Sequence, residues 1–175
     1  MPWNHVALAT TDIEATHRFY TEVMGFRLAK VVAAPTPRRT GWSRHVFYDC
    51  GGGEMIAFWD IHDPKVPVTS TDISRGLGLP GWVNHLAWDA TDEDTYRGHL
   101  ERWRSHGITV AEVDHGFCRS IYAEDPNGIT VEFCLMVRQL GPEDEAEAHR
   151  LLAADRPELE ALPDVVFHEP RPAPA

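Results

Sequence analysis

Asn4-His-Val-Ala-Leu-Ala-Thr-Thr-Asp12 returns as Asn84-His-Leu-Ala-Trp-Asp-Ala-Thr-Asp92, 80 residues along the chain. Repeats of this length mark a duplicated structural unit rather than a short motif. The sequence beyond each copy matches too. A helix-like stretch leads to a glycine (Gly25, Gly107), then to a β-rich run with a Gly-containing turn and one more apolar strand. In the first copy the turn is Cys50-Gly-Gly-Gly53, and in the second it is Asp125-Pro-Asn-Gly128. The order is β-α-β-β-β, twice.

Local chemistry supports each element. Residues 3–9 and 83–89 alternate as strands do. Thr11 or Asp12 and, in the second copy, Asp92 are side chains that cap helix N-termini. The helices run to about Met24 and Ser105, and Gly25 suits the left-handed position after a helix end. Strands are expected over 26–34, 43–49, 55–61, 108–113, 117–123 and 129–136. Pro126 and Gly128 fit a type I turn. The organisation expected is α+β: a first module over 1–62, a linker over 63–82, a second module over 83–140, and a C-terminal helix with an extended Pro-rich tail over 141–175.

Composition narrows the function. The chain has 175 residues, is 43% hydrophobic, and so can build a core. Its net charge of −11 opposes binding to nucleic acid or anionic lipid. Its apolar runs are too short to span a membrane, and residues 1–5 lack the start of a secretory signal. Three cysteines without CxxC spacing read as reduced thiols of a cytoplasmic protein. Ten histidines are the one compositional hint of metal or acid–base chemistry.

Strand parity selects among the histidines. His5 shares a face with Ala7, and His85 with Ala87. Glu132 lies on the closing strand with Thr130 and Cys134, opposite Val131 and Phe133. A carboxylate in so apolar a strand needs a cation. A lone strand histidine is more often a packing or surface residue than a ligand. Recurrence at equivalent repeat positions, with Glu132, makes a 2-His-1-carboxylate set with open positions for substrate, water or dioxygen.

The repeated Asn-His starts, the glycine after each helix, and above all Tyr122-Ala-Glu-Asp-Pro-Asn-Gly-Ile-Thr-Val-Glu132 resemble the vicinal oxygen chelate superfamily. This includes glyoxalase I, the bleomycin-resistance proteins and type I extradiol dioxygenases. The resemblance covers about residues 3–137 and implies paired βαβββ modules whose curved mixed sheets surround a metal. Glyoxalase-like members use a fourth ligand, at the position where this chain has Ala57. The three-ligand set His5, His85 and Glu132 is closer to extradiol enzymes, and Tyr122 matches their tyrosine beside the metal. Their acid–base histidine falls at about Glu54, so Glu54, His115 or His45 would move protons instead.

Phe47, the repeat counterpart of Tyr122, and Trp59 are candidates to line an apolar pocket, with ordinary core packing as the alternative. The expectation is an extradiol-type dioxygenase for a small, aromatic substrate, with Fe(II) favoured over Mn, Zn, Ni or Co. An isomerase or lyase on the same metal shell is the enzymatic alternative, and a metal-free drug-binding protein the non-enzymatic one. Retention of all three ligands argues against the last. A homodimer stays open, because the tail could cover a sheet edge or a partner subunit.

Overall fold

The structure, a computed structural model, describes residues 3–171; the expectations for the first two residues and for the last four lie outside it. Its elements obey the repeat. β1 (His5–Thr10), α1 (Ile13–Arg18), β2 (Arg27–Pro35), β3 (Trp42–Gly51) and β4 (Glu54–His62) form the first copy. β5 (His85–Asp89), α2 (Glu93–Ser105), β6 (Val110–Asp114), β7 (Cys118–Glu124) and β8 (Thr130–Met136) form the second. α3 (Pro142–Ala153) and β9 (Val165–His168) come last. The fold is α+β with two mixed sheets, of four strands ordered β1-β4-β3-β2 and five ordered β5-β8-β7-β6-β9. The first four strands of the second order repeat the first, and β9 is an addition at the β6 edge. No helix among the described residues is long and apolar enough to cross a membrane.

Contacts divide the chain into two compact units. One is the chain up to Leu86 with Glu124–Val131; the other is Ala87–Ala123 with the chain from Glu132 onward. In the first unit β1 runs parallel to β4, and β3 is antiparallel to both β4 and β2. Asp12, rather than Thr11, caps α1, accepting from the Ala15 amide at 2.9 Å. The helix then departs from the expected regular path to Met24. After Arg18 the chain widens into a π-helical turn over Phe19–Val23, closed by Met24 N–H to the Phe19 carbonyl at 2.9 Å. The extra residue in this turn lets Phe19, Tyr20 and Val23 all reach the core. There the Tyr20 ring lies 4.8 Å from Phe58 and 5.8 Å from Tyr48. Gly25 then takes φ +80°, as Gly107 does after α2.

The segment 124–131 packs in the same unit through polar contacts. Buried Asp125 accepts from the amides of Asn127 and Ile129, each at 2.8 Å, and from the Tyr20 hydroxyl at 3.0 Å. Asn127 donates to Thr16 Oγ1 at 3.2 Å. Residues between the two modules grip the same turn. Thr71 donates to the Asn127 carbonyl at 3.0 Å, and Arg75 pairs with Asp72 and Glu124 at 2.9 and 2.6 Å.

In the second unit Asp92 caps α2, accepting from the Thr95 amide at 2.8 Å. Tyr96 and Trp103 bury the inner side of the helix. The tail forms a definite element: β9 pairs antiparallel with β6, Phe167 opposite Ala111 and Val165 opposite Val113.

Candidate functional site

Register fixes which side chains share a face. Across β1, β4 and β3 of the first unit, Ala7 aligns with Ala57 and Phe47, and Ala9 with Trp59 and His45. His5 aligns with Met55 and Asp49. One sheet face therefore carries His5, Phe47, Trp59 and His45, opposite the face packed on Tyr20. The His5 ring sits edge-on to Phe47 at 5.4 Å and to His45 at 6.1 Å. His45 stacks on Trp59 with ring centroids 3.9 Å apart. Its Nε2 is buried with no hydrogen-bond partner among the described residues. Burial, and then the neighbouring His5, push the His45 pKa down, which keeps the ring neutral.

Each repeat histidine has an oxygen atom at its Nδ1. His5 Nδ1 lies 2.7 Å from Asn4 Oδ1, and His85 Nδ1 lies 3.2 Å from the Trp82 carbonyl. An oxygen acceptor at Nδ1 favours the tautomer that carries its proton there. Metal-ligating histidines are held in the same way. Glu54 stands differently. The irregularity of this hairpin falls at Cys50 on β3, so alternation along β4 is unbroken and Glu54 has the parity of Ile56 and Phe58. Its Oε1 accepts from the Trp3 amide at 3.3 Å.

In the second unit Glu132 is 5% exposed and accepts from Ser120 Oγ at 2.6 Å. Ser120 alternates with Tyr122 along β7, which places the hydroxyl, the phenol and the carboxylate on one face. The other face packs on α2, where His99 stacks on Phe133 at 3.6 Å. The turn from β6 to β7 passes through Gly116 at φ +79° and closes with His115 N–H to the Cys118 carbonyl at 2.9 Å. It brings His115 Nε2 within 3.0 Å of the Tyr122 hydroxyl. Burial pushes the Tyr122 phenol up to about 12, so it stays protonated at neutral pH.

Several of the residues singled out by sequence thus meet: His5 with Phe47, Trp59 with both through His45, and His115 with Tyr122. Among the described residues no three His, Cys, Asp or Glu side chains gather into a ready-made ligand cluster. The donor types still suit a divalent cation, because imidazole nitrogen and a buried carboxylate held by a hydroxyl are ligands such ions take. Sequence reasoning misses Ser120, although its parity with Tyr122 is legible there. A cleft of about 370 Å³ in the first unit, lined by Ile13, His17, Leu28, Val31 and Tyr48 among others, contains none of these residues.

Duplicated β-α-β-β-β modules, with a histidine on each first strand and a carboxylate on the last, define the structural class of the chain. Residues 3–133 match the family profile of the Glyoxalase/Bleomycin resistance protein/Dioxygenase superfamily, and the chain belongs to it. One relative, the iron-dependent extradiol dioxygenase of Rhodococcus jostii (strain RHA1), is 28% identical over 154 residues. That alignment takes in 81% of this chain and 45% of the relative, so the chain spans less than half of its length. Among solved structures, the glyoxylase/bleomycin resistance protein/dioxygenase domain from Frankia sp. EAN1pec is similar with a TM-score of 0.61 at 19% identity, covering 83% of this chain and 98% of that one. Lactoylglutathione lyase from Agrobacterium tumefaciens is similar with a TM-score of 0.52 at 22% identity, covering 77% and 92%. These two share the fold.

Proposed function

We propose that the chain is a divalent-metal-dependent enzyme of the vicinal oxygen chelate type, cleaving a small aromatic substrate with adjacent oxygens in the extradiol manner. His5, His85 and Glu132 would hold the metal, Fe(II) in the first instance. The observation that carries this reading is that each repeat histidine has its Nδ1 on an oxygen atom, the way metal-ligating histidines are held. The 28% identical iron-dependent dioxygenase supports the choice of metal and reaction.

The bound metal would supply Lewis acidity and redox chemistry toward the chelated oxygens and dioxygen. The rest of the work falls to this chain's own side chains. Tyr122, protonated at neutral pH, donates a hydrogen bond to a substrate oxygen. His115, exposed and 3.0 Å from the same phenol, exchanges the proton with solvent. Ser120 holds the Glu132 carboxylate in one orientation. Phe47 and Trp59 offer ring faces to the substrate and exclude water. Glu54, tied to the Trp3 amide on the other parity of β4, stays outside this proton path.

The test is direct. Protein purified without oxygen should carry one equivalent of metal and lose it in His85→Ala. The metal-loaded protein should then take up oxygen with a panel of catechols. Absence of stoichiometric metal would sink the enzyme reading in favour of a binding protein. Bound metal with silence across the panel, and turnover of a thiohemiacetal instead, would move it to the isomerase branch.

A further inference from the structure

The strand β9 lies outside the repeat, yet it is anchored like a working part of the second unit. His168 Nε2 pairs with Glu112 at 2.7 Å, Arg104 donates to the Glu169 carbonyl at 3.0 Å, and the Arg171 amide donates to the Arg104 carbonyl at 2.9 Å. These contacts use the α2 side of the sheet. The opposite side of β9 presents apolar residues that nothing in the anchoring requires. Phe167 is 67% exposed and Val165 49% exposed.

Register places those residues. Phe167 lies opposite Ala111, and Ala111 lies opposite Tyr122. Val165, Val113 and Ser120 form the next row. Paired residues share a face, so Phe167 stands on the face of Tyr122 and Ser120, two strands away across Ala111, and His115 reaches the Tyr122 hydroxyl from the end of β6. Adjacent strands are about 4.8 Å apart, which sets the two backbones about 10 Å apart. A flat ring needs about 3.5–4 Å to a ring on each side, so one ring fits in such a trough. No charged side chain belongs to these rows on β9 and β6; the nearest on this face is Glu132, bonded to Ser120 at the β7 end. Glu112 and His168 have the opposite parity and pair with each other.

We propose that β9 completes the substrate-binding face, with Phe167 and Tyr122 as the two walls of an apolar trough floored by Ala111 that receives an apolar ring substituent of the substrate. This rests on the ring-cleavage reading for the placement of the reacting oxygens near Tyr122. The trough itself does not depend on that reading. Phe167 is thus a specificity residue supplied by a part of the chain beyond the family's modules.

The experiment compares wild type, Phe167→Ala and Phe167→Trp, each loaded with Fe(II) without oxygen, by calorimetric titration. The probes are catechol, 3- and 4-phenylcatechol, and 2-hydroxybiphenyl, which has the second ring but no vicinal diol. Phe167→Ala should weaken at least one phenylcatechol about tenfold and catechol less than twofold, with Phe167→Trp restoring affinity. Equal effects on catechol and phenylcatechol, or none on either, would overturn the proposal and leave β9 as an edge cap. A change in sedimentation without a change in binding would overturn it too, because Phe167 would then face a second copy of the chain. If wild type binds neither catechol nor phenylcatechol, the ring-cleavage reading falls. The trough is then judged on 2-hydroxybiphenyl alone, where binding lost in Phe167→Ala supports it and binding unaffected or absent overturns it.

Discussion

At Glu132 the Ser120 hydroxyl helps to orient a buried carboxylate. Ser120 donates to it at 2.6 Å, and an oriented ligand loses less freedom on meeting a cation. Ser120→Ala should therefore weaken metal affinity about tenfold in a chelator competition, beside a loss of about 1 kcal/mol of stability from the missing hydrogen bond. Unaltered affinity would remove Ser120 from the site. A second residue-scale prediction concerns His99 on the opposite face of the same strand pair. Its ring stacks on Phe133, its Nδ1 is buried without a partner among the described residues, and burial pushes its pKa down to about 4. Folding thus favours the neutral ring. The stability this residue contributes is whole above the unfolded value, about 6.5, and drains away as pH falls toward 4. The slope is at most about 1.4 kcal/mol per pH unit. His99→Phe should flatten that limb of the stability profile measured by urea unfolding between pH 7 and pH 4, and an unchanged limb would refute the assignment.

Among the elements, the Asp125-Pro-Asn-Gly128 turn divides most sharply into a legible and an illegible part. Its shape was legible: Pro126 and Gly128 dictate a turn, and Gly128 does take φ +81°. Its docking was not, because the partners are Tyr20 and Thr16, more than a hundred positions away in sequence. No local pattern encodes such a contact. The π-helical turn at Phe19–Val23 was hidden for a related reason. A period of 3.6 describes the stripe approximately, and only core packing selects the extra residue in the turn. Asp125 joins these pieces. Burial pushes its carboxyl pKa up against the pull of the donors around it, so the group is kept at a cost and must be fully hydrogen-bonded. Asp125→Ala would leave the Tyr20 hydroxyl and two turn amides without their acceptor. It should destabilise the fold by about 3 kcal/mol in urea, whereas Tyr20→Phe, which removes one donor, should cost about 1 kcal/mol. Equal losses in the two variants would mean that the turn is not held through the carboxylate.

For the molecule as a whole, duplication made part of the candidate site readable and its absence hid the rest. His5 and His85 stood out because the second copy repeats the first, and Phe47 was found as the counterpart of Tyr122. Nothing in the repeat announces β9, whose four residues have no equivalent in the first sheet. The first sheet ends at β2 with an exposed edge, while the second continues from β6 into β9. A chain stopped after residue 160 would keep both modules and lose this strand. It would expose the β6 edge and deprive Glu112 of His168, leaving the carboxylate on the Tyr96 hydroxyl alone of these two partners. The ladder and the ion pair together suggest a loss of about 2–4 kcal/mol. An uncovered strand edge also templates pairing with other chains. The shortened protein should therefore unfold at lower urea and form larger species in size-exclusion chromatography, whereas Phe167→Ala, which keeps the ladder, should do neither. If the truncated chain matched the full one in both measurements, β9 would carry no structural weight, and its retention would rest on the substrate trough alone.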